Sequence, residues 1–165
     1  MTSGKSFIGK TLAERLKLPF IDLDIYIEKK EKMTISRIFK SKGEVYFRTI
    51  ESNYLREILK QEKNYILSLG GGTPCYASNM DVINAATNST SIYLKTSILT
   101  IIKRLIKEKN KRPLVQSLEE NELKEFVAKH LFERSIYYNK ANHTIETDNK
   151  DENKISKEII TLLLN

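Results

Sequence analysis

Tryptophan is absent from the 165 residues, and cysteine occurs once, at Cys75. A single thiol excludes a disulfide within the chain and any zinc cluster built from thiolates. Histidine is nearly as scarce, and His130 and His143 stand too far apart in sequence to suggest a metal site. No apolar run is long enough to cross a bilayer, and Lys5 and Lys10 interrupt the N-terminal stretch, so no signal-peptide pattern is present. Without a secretory signal, Asn88-Ser89-Thr90 and Asn142-His143-Thr144 are chance matches to the glycosylation triplet. The expectation is a cytoplasmic chain with no membrane contact. Internal repeats, low-complexity segments and linkers are also lacking, which leaves one domain over residues 1–165.

What is present is an ordinary globular composition, 40% apolar, with a formal net charge of +7. A basic balance favours anionic partners without choosing among them. Much of the lysine is scattered along helical stretches, at Lys29-Lys30, Lys60, Lys63 and 107–111, as a solvated surface requires. A nucleic-acid partner is therefore not expected.

Apolar spacing predicts a helix from Lys5 to Leu16, with Ile8, Leu12 and Leu16 on one face, ended by Pro19. Phe20-Ile21 reads as a short buried strand carrying Asp22 and Asp24 at its C-terminal end. A helix follows over 25–32. Thr34 caps the next, and Gly43 suits a left-handed exit from it. A longer helix runs from Glu44 to about Lys60. Strands are predicted at 65–69, 91–94 and 144–147, and helices from Ser78 or Asn79 to Ile83, then over 97–109, 119–138 and 152–163. Short apolar strands alternating with helices predict an α/β fold with a parallel sheet, whose ligands bind at the C-terminal ends of the strands.

The motifs fall at those ends. Gly4-Lys5-Ser6 before a helix is the second half of a phosphate-binding P-loop. Glycine lets backbone N–H groups approach phosphate, the helix N-terminus adds partial positive charge, Lys5 reaches the outer phosphates, and the Ser6 hydroxyl ligates Mg²⁺. The triplet is short, and a chance Gly-Lys-Ser at a frayed terminus reads the same. A complete P-loop has another glycine five residues before Gly4, ahead of Met1, and the strand leading into it would also precede Met1. That spacing predicts a start assigned too late, and a chain truly lacking the strand would have a gap in mid-sheet.

Asp22 and Asp24, two apart, project to one side of a strand and could serve a metal and a substrate hydroxyl; alternatively they cap the following helix. Arg48 and Glu51 form an i,i+3 pair. This is either a surface ion pair, or Glu51 holds the planar fork of Arg48 for bidentate grip of a carboxylate. Gly70-Gly71-Gly72 after an apolar strand suits a ligand pressed against the main chain, with a plain turn as the alternative. Lys111-Arg112-Pro113-Leu114 lies between two helices, either a basic loop that closes over phosphates or a solvated one. Arg134 alone reads as an ordinary helical arginine, and Cys75 as a small apolar filler.

In this order and spacing, Gly4-Lys5-Ser6, Asp22-x-Asp24, Gly43-Glu44 with Phe47-Arg48 and Glu51, Gly70-Gly71-Gly72, Arg112-Pro113-Leu114, and Arg134 with Tyr138 resemble the shikimate kinase family over essentially the whole chain. The resemblance implies a nucleoside monophosphate kinase-like fold, with helices on both faces of a five-stranded parallel sheet whose first strand this sequence lacks, and a lid at about 110–120. It implies ATP-dependent phosphorylation of the shikimate 3-hydroxyl by a monomer, with Mg²⁺ as cofactor, in aromatic amino acid biosynthesis. Thr2, Ser3, Gly4, Lys5, Ser6 and Phe7 would then bind the nucleotide phosphates, with Arg112 reaching them from the lid. Ser6 and Asp22 would hold the metal. Asp24 would orient or deprotonate the attacking hydroxyl, with Lys5 and Arg112 completing the catalytic set. Arg48 and Arg134 would clamp the carboxylate, beside backbone donors in Gly70, Gly71 and Gly72.

The sequence departs from the family pattern beyond the missing P-loop glycine. Ile136 stands where proline is common, Ala141 comes three rather than four residues after Tyr138, and Lys32 replaces a frequent glycine. Two other readings stay open: a small sugar-acid kinase such as gluconate kinase, and an inactive, N-truncated nucleotide-binding homologue.

Overall fold

A computed structural model describes residues 3–61, 63–107 and 119–164. The first helix, α1 (Lys5–Leu16), closes at Lys17 in the left-handed conformation, with the Leu18 amide donating to the Ala13 carbonyl at 2.9 Å. Pro19 then passes the chain to β1 (Phe20–Asp22). A Cβ at Gly9 would lie 2.6 Å from the Phe20 ring, so only glycine lets α1 lie directly on that strand.

Helix α2 (Leu23–Glu31) starts two residues earlier than expected, because Asp22 ends the strand and caps the helix at once. Thr34 caps α3 (Ile35–Leu59) as predicted, accepting from the Arg37 amide at 3.3 Å. Gly43 has the positive φ expected of it, 80°, but its ψ of 173° is extended rather than left-handed helical, so two helical stretches meet at a kink. After β2 (Ile66–Ser68), a single 3₁₀ turn covers Thr73–Cys75, followed by α4 (Asn79–Ala85). Ser78 makes no side-chain cap there, and Asn79 turns fully inward. Then come β3 (Ile92–Lys95), α5 (Ile98–Lys107), α6 (Glu120–Tyr138), β4 (His143–Glu146) and α7 (Glu152–Leu164).

The described strands form two parallel pairs: β1 with β2, Asp22 opposite Ser68, and β3 with β4, Lys95 opposite Glu146. Parallel neighbours need crossover connections, which the helices supply. Leu23, Ile27, Ile38, Phe47, Leu55, Ile58, Met80 and Ile83 form one buried cluster beneath β1 and β2. Ile8 and Leu12 join Ile145, Ile155 and Ile159 in a second, while α5 and α6 share a third around Leu105 and Val127. Between β2 and β3 lies a cavity of about 870 Å³, lined by Ile66, Leu67, Ile92 and Leu94 with Ile8 and Leu12 above and Met80 and Ile83 below. The strands are thus two pairs flanking an apolar cavity rather than one continuous sheet. Among the described residues no helix is long and apolar enough to cross a membrane.

Candidate active site

At one end of the cavity α1 is preceded by Gly4, whose φ of 84° is costly for any other residue, and among the described residues no side chain caps its first N–H groups. No acid lies in the first turn, so the positive end of the helix stays open to an anion. Lys5 and Ser6 occupy that turn. The Ser6 hydroxyl donates to Asp22 Oδ2 at 2.8 Å and lies 3.5 Å from the Ser68 hydroxyl. Asp22 Oδ1 meanwhile accepts from the amides of Asp24 and Ile25, at 3.1 and 3.5 Å. The capping reading of this acid therefore holds for one oxygen, while the other accepts from Ser6. Phe7 points largely into solvent. Ser3 and Lys5 line the cavity together with Gly70 and Gly71. Thr2, Arg112 and all but the end of the expected lid lie outside the described residues.

Asp24 sits in the first turn of α2 rather than on the strand. Burial pushes its carboxyl above the usual value; the charge of Lys5 opposes this, while Asp22, Glu51 and Glu28 add to it. Gly70 is where these groups converge. A Cβ there would lie 3.0 Å from Thr73 Oγ1, 3.2 Å from Asp24 Oδ1 and 3.3 Å from Glu51 Oε1. Any larger residue would press on the polar side chains that already crowd the main chain there.

Arg48 belongs to the kinked helix α3. Its Nη1 donates to Glu51 Oε2 at 2.8 Å and its Nε to the exposed Glu44 at 3.3 Å, while the guanidinium lies 4.2 Å from the centre of the Tyr76 ring. Nη2 donates to no described residue. A Cβ on Gly72 would come within 2.8 Å of it, so the free edge of the fork rests against the glycine segment. In that segment the carbonyls of Gly70 and Gly72 accept from the amides of Thr73 and Cys75, and that of Gly71 accepts from the Tyr138 hydroxyl at 2.5 Å. None of the three glycine N–H groups donates to a described residue.

Arg134, on α6, acts on the hydroxyl of Tyr138 and on the thiol of Cys75. Burial raises both of those pKa values and the arginine pulls against it. The same thiol feels Arg48. Arg48 and Arg134 thus both act electrostatically on the half-buried Cys75, whose thiol burial keeps protonated. Ser68, Thr73, Tyr76 and Asn79 also belong to the site and carry no signature in the sequence. Each acts through a partner distant in the chain, so no spacing announces it.

A family model described as shikimate kinase matches residues 1–164. Among curated relatives, a shikimate kinase of Flavobacterium johnsoniae is 45% identical over 163 residues, covering 99% of this chain and 94% of the relative. One from Parabacteroides distasonis is 38% identical over 167 residues, covering 99% and 95%. Of solved structures, shikimate kinase from Bacteroides thetaiotaomicron superposes with a TM-score of 0.90 at 32% identity, covering 100% of this chain and 94% of that one. Shikimate kinase from Acinetobacter baumannii, solved in complex with shikimate, superposes at 0.85 and 33%, covering 98% and 87%.

Proposed function

The chain belongs to the shikimate kinase family, and on that premise we propose that its cleft transfers the γ-phosphoryl group of ATP to the 3-hydroxyl of shikimate. The observation that carries this reading is the convergence on Gly70 and Gly72 of three unlike groups: the Asp24 carboxylate, the Glu51 carboxylate and the Arg48 guanidinium. A hydroxy acid offers the complement, hydroxyls for the acid and a carboxylate for the arginine fork.

The open N-terminus of α1, Lys5 and the backbone of Gly4 to Phe7 hold the phosphates. Ser6 and Asp22 are the groups that would hold Mg²⁺. Their oxygens are hard donors and only two, and this cation commonly takes few protein ligands beside substrate phosphates. When bound, the ion neutralises charge on the transferring group. Asp24 orients the attacking hydroxyl and accepts its proton as the new O–P bond forms and the bond to the ADP oxygen breaks. Arg48 and Arg134 hold the carboxylate, and the N–H groups of Gly70, Gly71 and Gly72 fix the ring between them. Arg112 is assigned to the ATP phosphates on the family resemblance alone.

A coupled ADP-release assay with ATP and Mg²⁺ tests the reading, with shikimate and gluconate run side by side. Shikimate-dependent turnover is expected. Turnover with gluconate alone would reassign the acceptor, and ATP binding without turnover on either acid would make the chain a non-catalytic nucleotide binder.

A further inference from the structure

Glu51 is only 1% exposed. A carboxylate so buried must have both oxygens satisfied, or its charge is expensive. Arg48 satisfies Oε2, and the Thr73 hydroxyl satisfies Oε1 at 2.6 Å. Thr73 is itself fully buried and fixed in turn. Its amide donates to the Gly70 carbonyl at 3.1 Å, and its carbonyl accepts from Asn79 Nδ2 at 2.9 Å. Asn79, also fully buried, accepts at Oδ1 from the Ser52 hydroxyl at 2.7 Å and from Arg56 at 3.3 Å. Arg56 also donates to the Ala77 carbonyl and to Ser52.

These bonds close on themselves. Glu51 and Ser52 are adjacent on α3; one holds Thr73 directly and the other holds it through Asn79. The 3₁₀ turn after the glycines is therefore tied to the helix at two neighbouring points, and it can neither slide nor rotate without breaking a buried bond. We infer that Thr73 and Asn79 are positioning residues that set the substrate-facing edge of Arg48, an inference that rests on the assignment of Arg48 to the acceptor carboxylate. With Thr73 drawing Oε1 to itself, Glu51 turns Oε2 toward Arg48, takes only Nη1, and leaves Nη2 beside Gly72 for the ligand. Without the threonine hydroxyl both oxygens compete for the guanidinium, the bidentate pair that carboxylates favour forms within the protein, and the fork turns from the substrate.

The test is steady-state kinetics on Thr73→Val, which keeps the shape and removes the hydroxyl. The Michaelis constant for shikimate is expected to rise about tenfold or more, the scale of a lost bond to a charged group, with that for ATP nearly unchanged. Thr73→Ser should restore the wild-type value. An equal rise in both constants, or no rescue by serine, reduces the ring to a structural role and overturns the inference. Arg48→Lys, run in parallel, separates this from the reading beneath it. If lysine leaves the shikimate constant unchanged, the carboxylate assignment itself is wrong; if lysine raises it and Thr73→Val does not, only the positioning role fails. Should Thr73→Val not fold, Asn79→Asp replaces the donor to the Thr73 carbonyl by a carboxylate oxygen, with its new charge beside Arg56. A smaller rise of the same kind is expected there, and equal constants for wild type and variant would overturn the inference.

Discussion

The two ends of the cleft are built from different materials. The phosphate end is mostly main chain: a positive-φ glycine, a helix start that no described side chain caps, and the Ser6 hydroxyl held by Asp22. The acceptor end is a network of buried side chains, in which Glu51, Thr73, Ser52 and Asn79 satisfy one another and Arg48 projects from the edge. The difference follows the ligands. Phosphate is a diffuse anion that any cluster of N–H donors can hold, so backbone and a helix terminus suffice. A ring bearing one carboxylate and several hydroxyls must be held in one orientation for in-line attack, and only groups locked by their neighbours achieve that.

Asp24 stands where the two ends meet, so its removal should have the largest effect. Asp24→Asn is expected to cut turnover about a thousandfold, within the range for a positioned base, while ATP still binds by calorimetry; normal turnover would remove Asp24 from its role. Gly72→Ala tests the acceptor end alone. Its methyl would meet Arg48 at 2.8 Å, and the shikimate constant should rise about tenfold with that of ATP unchanged. A matching loss of ATP affinity would mean that the two ends are not separable.

The cavity between β2 and β3 offers a test of the phosphate end. An extended apolar segment of about five residues with a terminal glycine, fused ahead of Met1, should bridge the two strand pairs and steady the entry to Gly4. Thermal unfolding should move up by several degrees, the scale for about 1 kcal/mol or more in a chain of this length. An unchanged midpoint would show that the cavity does not take a strand.

The smallest effect expected is electrostatic. The negative charge of Glu28 is among those that raise the pKa of Asp24. The base role proposed for Asp24 needs its ionised form, so activity should fall as pH drops through that raised value. Glu28→Gln keeps an acceptor for the Ile35 amide and removes the charge, so the acid limb should move to lower pH. Movement the other way would show that Glu28 does not act on Asp24 through its charge.

The phosphate end was legible in the sequence because its signals are local. A Gly-Lys-Ser triplet before an apolar-periodic helix, or a cap residue such as Thr34, acts within a few residues of itself. The Asp-x-Asp pair was only half legible. Strand alternation was expected to aim both acids one way, but the strand stops at Asp22 because that side chain caps α2, and Asp24 reaches the cleft from a helix. Arg134 read as an ordinary surface arginine until α6 brought it beside Tyr138 and Cys75.

From the sequence alone came the α/β alternation, the Gly-Lys-Ser turn before a helix and the Arg48–Glu51 pair, since each depends on residue type and short spacing; the hydroxy-acid partner came with the family resemblance. Tertiary structure alone decided that Asp22 serves two amides and a serine at once, that the Cys75 thiol feels both Arg48 and Arg134, and that Glu51 shares its oxygens between Arg48 and Thr73. Those facts are partnerships across the fold, and a buried polar group declares its partner only when the chain has closed around it.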